Sequence, residues 1–268
     1  MIQLDIDPPE LGRNYVNVVS LHGDAKAGLR MMIDAAPPKS EESAREWTGR
    51  FQRLVAEWRA AVEPMRNSDA VPMRPERICK EITETLPDDG VLVSDTGHAG
   101  MWSGQMIDIT RPAQRSIRCE GSLGWGLPGA MGVKCALPER TVVLFTGDGG
   151  LYYHLPGLET AARHKINLVV VVNNKSSLNQ QIPLVQAAYK EKRDSLSGEM
   201  WRFSKEASLA KAAEALGCTG WRVETPSQLR ELLPKAFALG KPVLLDCIGD
   251  DHALAPTAWV PGGRAGAY

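Results

Sequence analysis

The sequence predicts an α/β fold, a doubly wound parallel sheet with helices on both faces, and three observations carry that expectation. Thr141-Val142-Val143-Leu144-Phe145 and Leu168-Val169-Val170-Val171-Val172 are short, unbroken apolar runs rich in β-branched residues, as strands covered on both faces require. Each run delivers polar residues at its end, Gly147-Asp148-Gly149-Gly150 after the first and Asn173-Asn174 after the second. Leu151 to His164, between them, reads as a helix. In open α/β sheets ligands bind beyond the carboxyl ends of such strands. The two polar turns are therefore the first candidates for a site.

Taken from the amino terminus, Ile2 to Asp7 alternates apolar and acidic residues and reads as a strand, and Asp24 followed by Ala25 to Ile33 reads as a capped amphipathic helix. Pro37-Pro38-Lys39-Ser40 is a linker. Glu41 to Met65 places Trp47, Phe51, Leu54, Val55, Trp58 and Val62 at three- and four-residue steps, an amphipathic helix whose aromatic stripe is expected to pack on a core. Asn67 to Met73 is a second linker, and Pro75 opens a helix through Leu86 with Ile78, Ile82 and Leu86 inward. Val91-Leu92-Val93 is the next strand, and Ser94 to Trp102 its turn into a helix. Leu127 to Cys135 reads as a helix packed closely through Gly129, Ala130 and Gly132. Ser177 to Met200 is polar and aperiodic, an active-site loop with a short helix. Ser204 to Leu216 and Ser227 to Leu239 read as helices, and Pro242 to Ile248 as a strand that completes the sheet. These elements divide the chain at 1–36, 37–73 and 74–268.

Composition narrows the function. The 268 residues are 43% apolar and 24% charged, with a net charge of −1. That balance is globular and gives no electrostatic reason to expect nucleic acid or an anionic membrane as partner. No apolar run approaches the ~20 residues of a membrane span, and no signal-like segment opens the chain, so the cytoplasm is the expected location. Five cysteines, Cys79, Cys119, Cys135, Cys218 and Cys247, are widely spaced and form no Cys-x-x-Cys. Buried reduced thiols are expected, rather than a zinc site or an iron–sulfur cluster.

The chemistry concentrates in the two turns. Gly147, Gly149 and Gly150 let the backbone approach an anion closely, and the following helix would turn its first N–H groups toward it. Asp148 supplies a hard carboxylate oxygen and Asn174 a neutral amide oxygen. That pair suits Mg²⁺, which accepts one or two carboxylates and takes its other ligands from phosphate, carbonyl and water. The construction reads as a site for a metal diphosphate.

Gly147-Asp148-Gly149, 23 intervening residues and Asn173-Asn174 resemble the diphosphate-binding signature of thiamine diphosphate (ThDP) enzymes. Three further stretches strengthen the resemblance: Gly121-Ser122-Leu123-Gly124-Trp125-Gly126-Leu127-Pro128-Gly129-Ala130-Met131-Gly132, Asp95-Thr96-Gly97-His98-Ala99-Gly100-Met101-Trp102, and Ile2-Gln3-Leu4-Asp5-Ile6-Asp7-Pro8-Pro9-Glu10-Leu11-Gly12-Arg13-Asn14. Together they look like the C-terminal half of an acetolactate-synthase-like enzyme, and the resemblance covers nearly the whole chain. It implies a ThDP diphosphate-binding domain at 74–268, preceded by the last strand and helix of a Rossmann-like middle domain at 1–36 and a linker at 37–73.

The resemblance also implies roles. Thr96, Gly97 and His98 would be the first diphosphate contacts, joined by Gly147, Asp148, Gly149 and Gly150. Asp148, Asn174 and the Ser176 carbonyl would ligate Mg²⁺. ThDP needs its two rings folded into a V, and Leu123 would be the apolar wedge between them while the Gly121 carbonyl receives the 4′-amino group. Gln180 would stand over the reacting carbon. The alternative for Gly121 to Gly132, a dinucleotide fingerprint, has the wrong spacing. Acetolactate synthases place glutamine and histidine side chains in the first turn and follow Asn-Asn with Leu-Gly-Met-Val and a tryptophan. Here stand His98-Ala99-Gly100, then Ser177-Leu178-Asn179-Gln180 and Pro183.

The expected activity is ThDP- and Mg²⁺-dependent decarboxylation of a 2-oxoacid, with possible transfer of the acyl fragment to an acceptor. Relatives draw the glutamate that activates the pyrimidine from a separate pyrimidine-binding domain, which nothing in these residues resembles. A second subunit carrying that glutamate is expected, in a hetero-oligomer, with this chain inactive alone. A 2-hydroxyacyl-CoA or oxalyl-CoA lyase subunit and a non-catalytic ThDP-binding module stay open as alternatives. FAD, bound by some relatives across the middle domain, is left undecided by a segment this short. The tail, Ala255 to Gly263, resembles the Pro-Gly-Gly segment that approaches the active site in relatives.

Overall fold

The computed structural model describes residues 1–38, 40–119, 121–190 and 199–255, in two compact units, Met1–Val55 and Ala56 onward. In the first, β1 (Ile2–Asp5) pairs in parallel with β2 (Val19–His22), a strand the alternation did not mark, and α1 (Ala25–Ala35) follows. The Asp24 carboxylate accepts from the Ala27 N–H at 2.9 Å and caps α1. Val16, Val18, Met31 and Ile33 are exposed. α2 (Glu41–Arg66) starts in this unit and ends in the second. Its stripe is covered only toward its end. Val62 is buried and Trp58 packs on the core, but Trp47 and Phe51 are 63% and 60% exposed. The expectation of a fully packed aromatic face fails there.

The second unit carries α3 (Pro75–Thr85), β3 (Val91–Ser94), α4 (His98–Met106), β4 (Arg115–Arg118), α5 (Gly126–Ala136), β5 (Val142–Gly147), α6 (Asp148–His154) and α7 (Gly157–Arg163). It continues with β6 (Val169–Asn174), α8 (Gln181–Tyr189), α9 (Leu209–Ala215), β7 (Thr219–Val223), α10 (Pro226–Ala238) and β8 (Val243–Ile248). The six strands run parallel in the order β4-β3-β5-β6-β8-β7. Side chains alternate across this sheet. Val143, Phe145, Val171 and Leu245 face a core shared with α3, α4 and α10, while Leu144, Val170, Val172 and Leu244 face one shared with α5, α7 and α9. The doubly wound parallel sheet is thus present, and its strands are apolar throughout because both faces are covered. No helix among the described residues is long and apolar enough to cross a membrane.

Register aligns the row Ile117, Val93, Leu144, Val170, Leu244 and Gly220 across the sheet. At the row's end Gly220 lets α9 come close, since a β-carbon there would lie 2.0 Å from the Ala210 carbonyl oxygen. Gly220→Ala is therefore expected to destabilise the chain by about 3 kcal/mol in chemical denaturation. Gly132→Ala, with nothing within 4 Å of the new carbon, is expected to stabilise α5 by about 0.5 kcal/mol through helix propensity. Gly132 therefore corrects the expectation of close packing; Gly129 fits it, against the Trp125 ring.

Three other expectations change. The helix expected over Leu151 to His164 is two helices, because Pro156 lacks the N–H that would bond back and Gly157 adds backbone freedom. The helix expected from Ser204 starts at Leu209, where the Ser208 hydroxyl accepts from the Lys211 N–H at 3.2 Å. Cys79, Cys218 and Cys247 are buried, but Cys135 is exposed.

Candidate active site

The carboxyl ends of β3, β5 and β6 stand side by side, with Gly147 opposite Asn173 in register, and they frame a cleft. Thr96, Gly97, His98, Leu123, the Gly147 to Gly150 turn and Gln180 line it; Gly121, Asn174 and Ser176 are not among its lining residues. Asn173, Lys175 and Ser177 line it too. The segment expected as a loop from Ser177 to Met200 lies outside the described residues at 191–198, as does the tail from 256.

Asp148 opens α6 at 4% exposure and turns its side chain across to the residues after β6. One oxygen accepts from the Gly149 N–H at 2.8 Å, and the other from the Lys175 and Ser177 N–H groups at 3.1 and 3.0 Å. Burial pushes its pKa up to about 6, opposed by those three N–H groups and the Lys175 charge. A bound cation would hold this carboxyl ionised.

Lys175 lies buried with Nζ 2.6 Å from the Ala253 carbonyl oxygen and 5.7 Å from the centre of the Trp102 ring. Burial lowers its pKa to about 8 against the pull of Asp250, Asp148, Glu76 and Asp251. Burial, and then the Lys175 charge, lower His98 to about 4. His98 is thus a neutral ring near neutral pH.

Asn174 is oriented from behind. Its amide nitrogen donates to Asp246 Oδ1 at 2.7 Å, so its oxygen points the other way, toward the Ser176 N–H at 3.0 Å. Asp246 is fully buried, and its second oxygen accepts from the Leu209 N–H at 3.1 Å. Ser176 takes the left-handed φ of 49°, and its carbonyl accepts from the Phe203 N–H at 2.7 Å. Asn173 Oδ1, Ser177 Oγ and His98 Nδ1 are buried and have no hydrogen-bond partner among the described residues. Buried polar atoms seldom go unpaired, and the three residues that carry these all line the cleft. Gly249 makes room for Asn173: a β-carbon there would stand 2.3 Å from its Oδ1.

The Gly121 N–H donates to Thr96 Oγ1 at 3.3 Å, and Gly121 has φ 82°. A β-carbon placed on Gly97 would lie 3.0 Å from Gln180 Oε1 and 3.9 Å from Leu123 Cδ1. Leu123 and Gln180 therefore both reach toward Gly97. Among the described residues no group of three or more His, Cys, Asp or Glu side chains gathers. Any metal here would rest on a mixed set of carboxylate, amide and carbonyl oxygens, and a hard cation completed by phosphate or water accepts such a set.

Thr146, Lys175 and Asp246 were not singled out from the sequence, and Asp95, Asn173 and Ser177 stood there only within longer motifs, without a role of their own. Asp246 left a signal. A lone acid inside Val243-Leu244-Leu245-Asp246-Cys247-Ile248, a strand covered on both faces, must be hydrogen-bonded by something.

The family described as thiamine pyrophosphate enzyme, C-terminal TPP binding domain, matches residues 95–247. The chain is 28% identical over 98% of its length to the probable acetolactate synthase large subunit of Methanocaldococcus jannaschii, covering 44% of that protein. It is 27% identical over 98% of its length to the acetolactate synthase large subunit of Buchnera aphidicola subsp. Schizaphis graminum, covering 45% of it. With the acetolactate synthase isozyme 3 large subunit of Escherichia coli it shares 27% identity over 88% of its length, covering 41% of that protein. The chain thus spans less than half the length of these relatives.

Proposed function

The chain belongs to the thiamine pyrophosphate enzymes, in their acetolactate-synthase-like branch, and from that premise we propose that the cleft at the ends of β3, β5 and β6 holds ThDP through Mg²⁺. One observation carries the reading. The buried Asp148 carboxylate lines the cleft with Leu123 and accepts from the N–H groups on either side of Ser176, while the Ser176 N–H itself meets the Asn174 amide oxygen that Asp246 aims. Asp148 and Asn174 would hold the cation, with the lone pair of the Ser176 carbonyl that Phe203 leaves over. Backbone N–H groups of the turns at Thr96 to His98 and Gly147 to Gly150, other than those of Thr96 and Gly149 that Asp95 and Asp148 already hold, would meet the diphosphate with the neutral His98 ring.

ThDP when bound supplies an electron sink beside a substrate carbonyl. The chain's residues act by position. Leu123 would keep the two rings folded, the Gly121 carbonyl would accept from the 4′-amino group, and Gln180, reaching toward Gly97, would contact substrate. The proposed reaction is decarboxylation of a 2-oxoacid, with transfer of the acyl fragment to an acceptor. Residues 74–268 would be the catalytic domain, 37–73 a linker, and 1–36 a piece of a middle domain; the exposed apolar residues beside β1, β2 and α1 support a further covering element there.

Asp148 is the sole carboxylate among the described residues that line the cleft, and its oxygens already accept three N–H groups. The acid that activates the pyrimidine is therefore proposed to come from a pyrimidine-binding domain on a partner subunit. Calorimetry on the purified chain is expected to show Mg²⁺-dependent ThDP binding, and 2-oxoacid turnover is expected only after the partner is added. Absence of Mg²⁺-dependent binding would refute the site, and turnover by the chain alone would refute the partner. Faster turnover of acyl-CoA substrates than of free 2-oxoacids would favour the lyase alternative.

Asp246→Ala tests the support behind the cation. It frees the Asn174 amide to rotate, and the loss of a group that orients a ligand costs about 10–100-fold in metal affinity. That loss is expected in Mg²⁺ titrations at saturating ThDP.

A further inference from the structure

Asp95 directly follows β3 and is 1% exposed. Its Oδ1 accepts from the Thr96 N–H at 2.8 Å and the Gly124 N–H at 3.0 Å, and its Oδ2 accepts from the Thr146 hydroxyl at 2.9 Å. Its own N–H donates to the Phe145 carbonyl at 3.0 Å. Two glycines are shaped around it: a β-carbon on Gly126 or Gly150 would lie 2.9 or 2.7 Å from Oδ2. One carboxylate thus gathers the end of β3, the loop that bears Leu123 and the end of β5.

We propose that Asp95 is a positioning residue that fixes Leu123 against the Gly147-Asp148 turn, and so sets the ring geometry of bound ThDP without touching it. The inference rests on the reading of the cleft as a ThDP site. The Gly124 N–H belongs to the same rigid peptide unit as the Leu123 carbonyl, so holding that nitrogen holds the plane from which Leu123 projects. Gly124, at φ 91°, turns the chain directly after the wedge. Thr146, the third donor, immediately precedes Gly147. Both ends of the span from wedge to diphosphate therefore hang on a single carboxylate.

The three donors ask for acceptor oxygens in the right places. Asparagine can satisfy them: its Oδ1 keeps both N–H bonds, and its amide nitrogen donates to Thr146 once that hydroxyl rotates. Alanine satisfies none. The test uses the full chain assembled with its partner subunit, measuring ThDP affinity with Mg²⁺ by calorimetry and the exchange rate of the C2 proton of bound ThDP by quenched-flow NMR. Asp95→Ala is expected to leave affinity within about threefold and slow exchange on the order of 10–100-fold, the scale of an ångström-level misplacement. Asp95→Asn is expected to stay near wild type in both.

Unchanged exchange in Asp95→Ala, or exchange as slow in Asp95→Asn as in Asp95→Ala, overturns the proposal. Should Asp95→Ala fail to fold, Thr146→Val decides, because it keeps both N–H bonds and removes the third: slower exchange supports the role and unchanged exchange overturns it. Asp148→Ala serves as the control for the underlying site. If that variant binds ThDP with undiminished affinity, the reading of the cleft is wrong, whatever Asp95 does.

Discussion

Asp148→Ala is expected to lower the affinity for ThDP with Mg²⁺ by more than ~100-fold, read by calorimetry on the assembled enzyme. Loss of a group that merely orients a metal ligand costs about 10–100-fold, and removal of the charged ligand itself should exceed that. Two contributions add. Alanine deletes the hard oxygen, and it also strands the N–H groups of Gly149, Lys175 and Ser177, which now share the carboxylate. Asp148→Asn separates them. Its oxygen can keep the bonds from Lys175 and Ser177 while the charge disappears, so the drop in affinity from wild type to Asp148→Asn reads the contribution of the charge alone. Removing Mg²⁺ with a chelator should reproduce the alanine result in the unmodified chain.

Leu123→Ala is expected to act on rate rather than on binding. The proposed diphosphate contacts, on the β3 and β5 turns, and the proposed cation ligands would survive the truncation, so ThDP affinity should change by less than about fivefold. With the wedge gone the rings are no longer held at one angle, and misplacement of reacting groups by about an ångström costs on the order of 100-fold in turnover. Leu123→Met, similar in volume and unbranched, should recover most of that loss. Equal loss of affinity and turnover in Leu123→Ala would remove the wedge assignment.

The parts of this fold legible in the sequence are those whose chemistry is local. β5 and β6 announce themselves because strands buried on two faces tolerate almost nothing but apolar residues. The edge strands do not: Arg115-Ser116-Ile117-Arg118 and Thr219-Gly220-Trp221-Arg222-Val223 form strands only because β3 and β8 offer them neighbours. Pro156 did carry a readable signal of the break between α6 and α7. The oxygens of the candidate site could be named from their place after apolar runs, whereas the groups that hold them could not. Asp246 reaches Asn174 across 72 residues and Asp95 reaches Thr146 across 51; strand order brings those pairs together, and strand order is not written in local pattern.

The strand order has one more effect, on how the molecule is made. β8, the last strand among the described residues, does not flank the sheet but is inserted between β6 and β7. While the nascent chain emerges from the ribosome, β6 shows a bare valine-rich border and β7 lacks its only neighbour until residues past Ile248 are free. Such unpaired borders are sticky. Fragments from translation stalled before Val243 should therefore be captured by chaperones or precipitate, while the finished polypeptide closes its own seam.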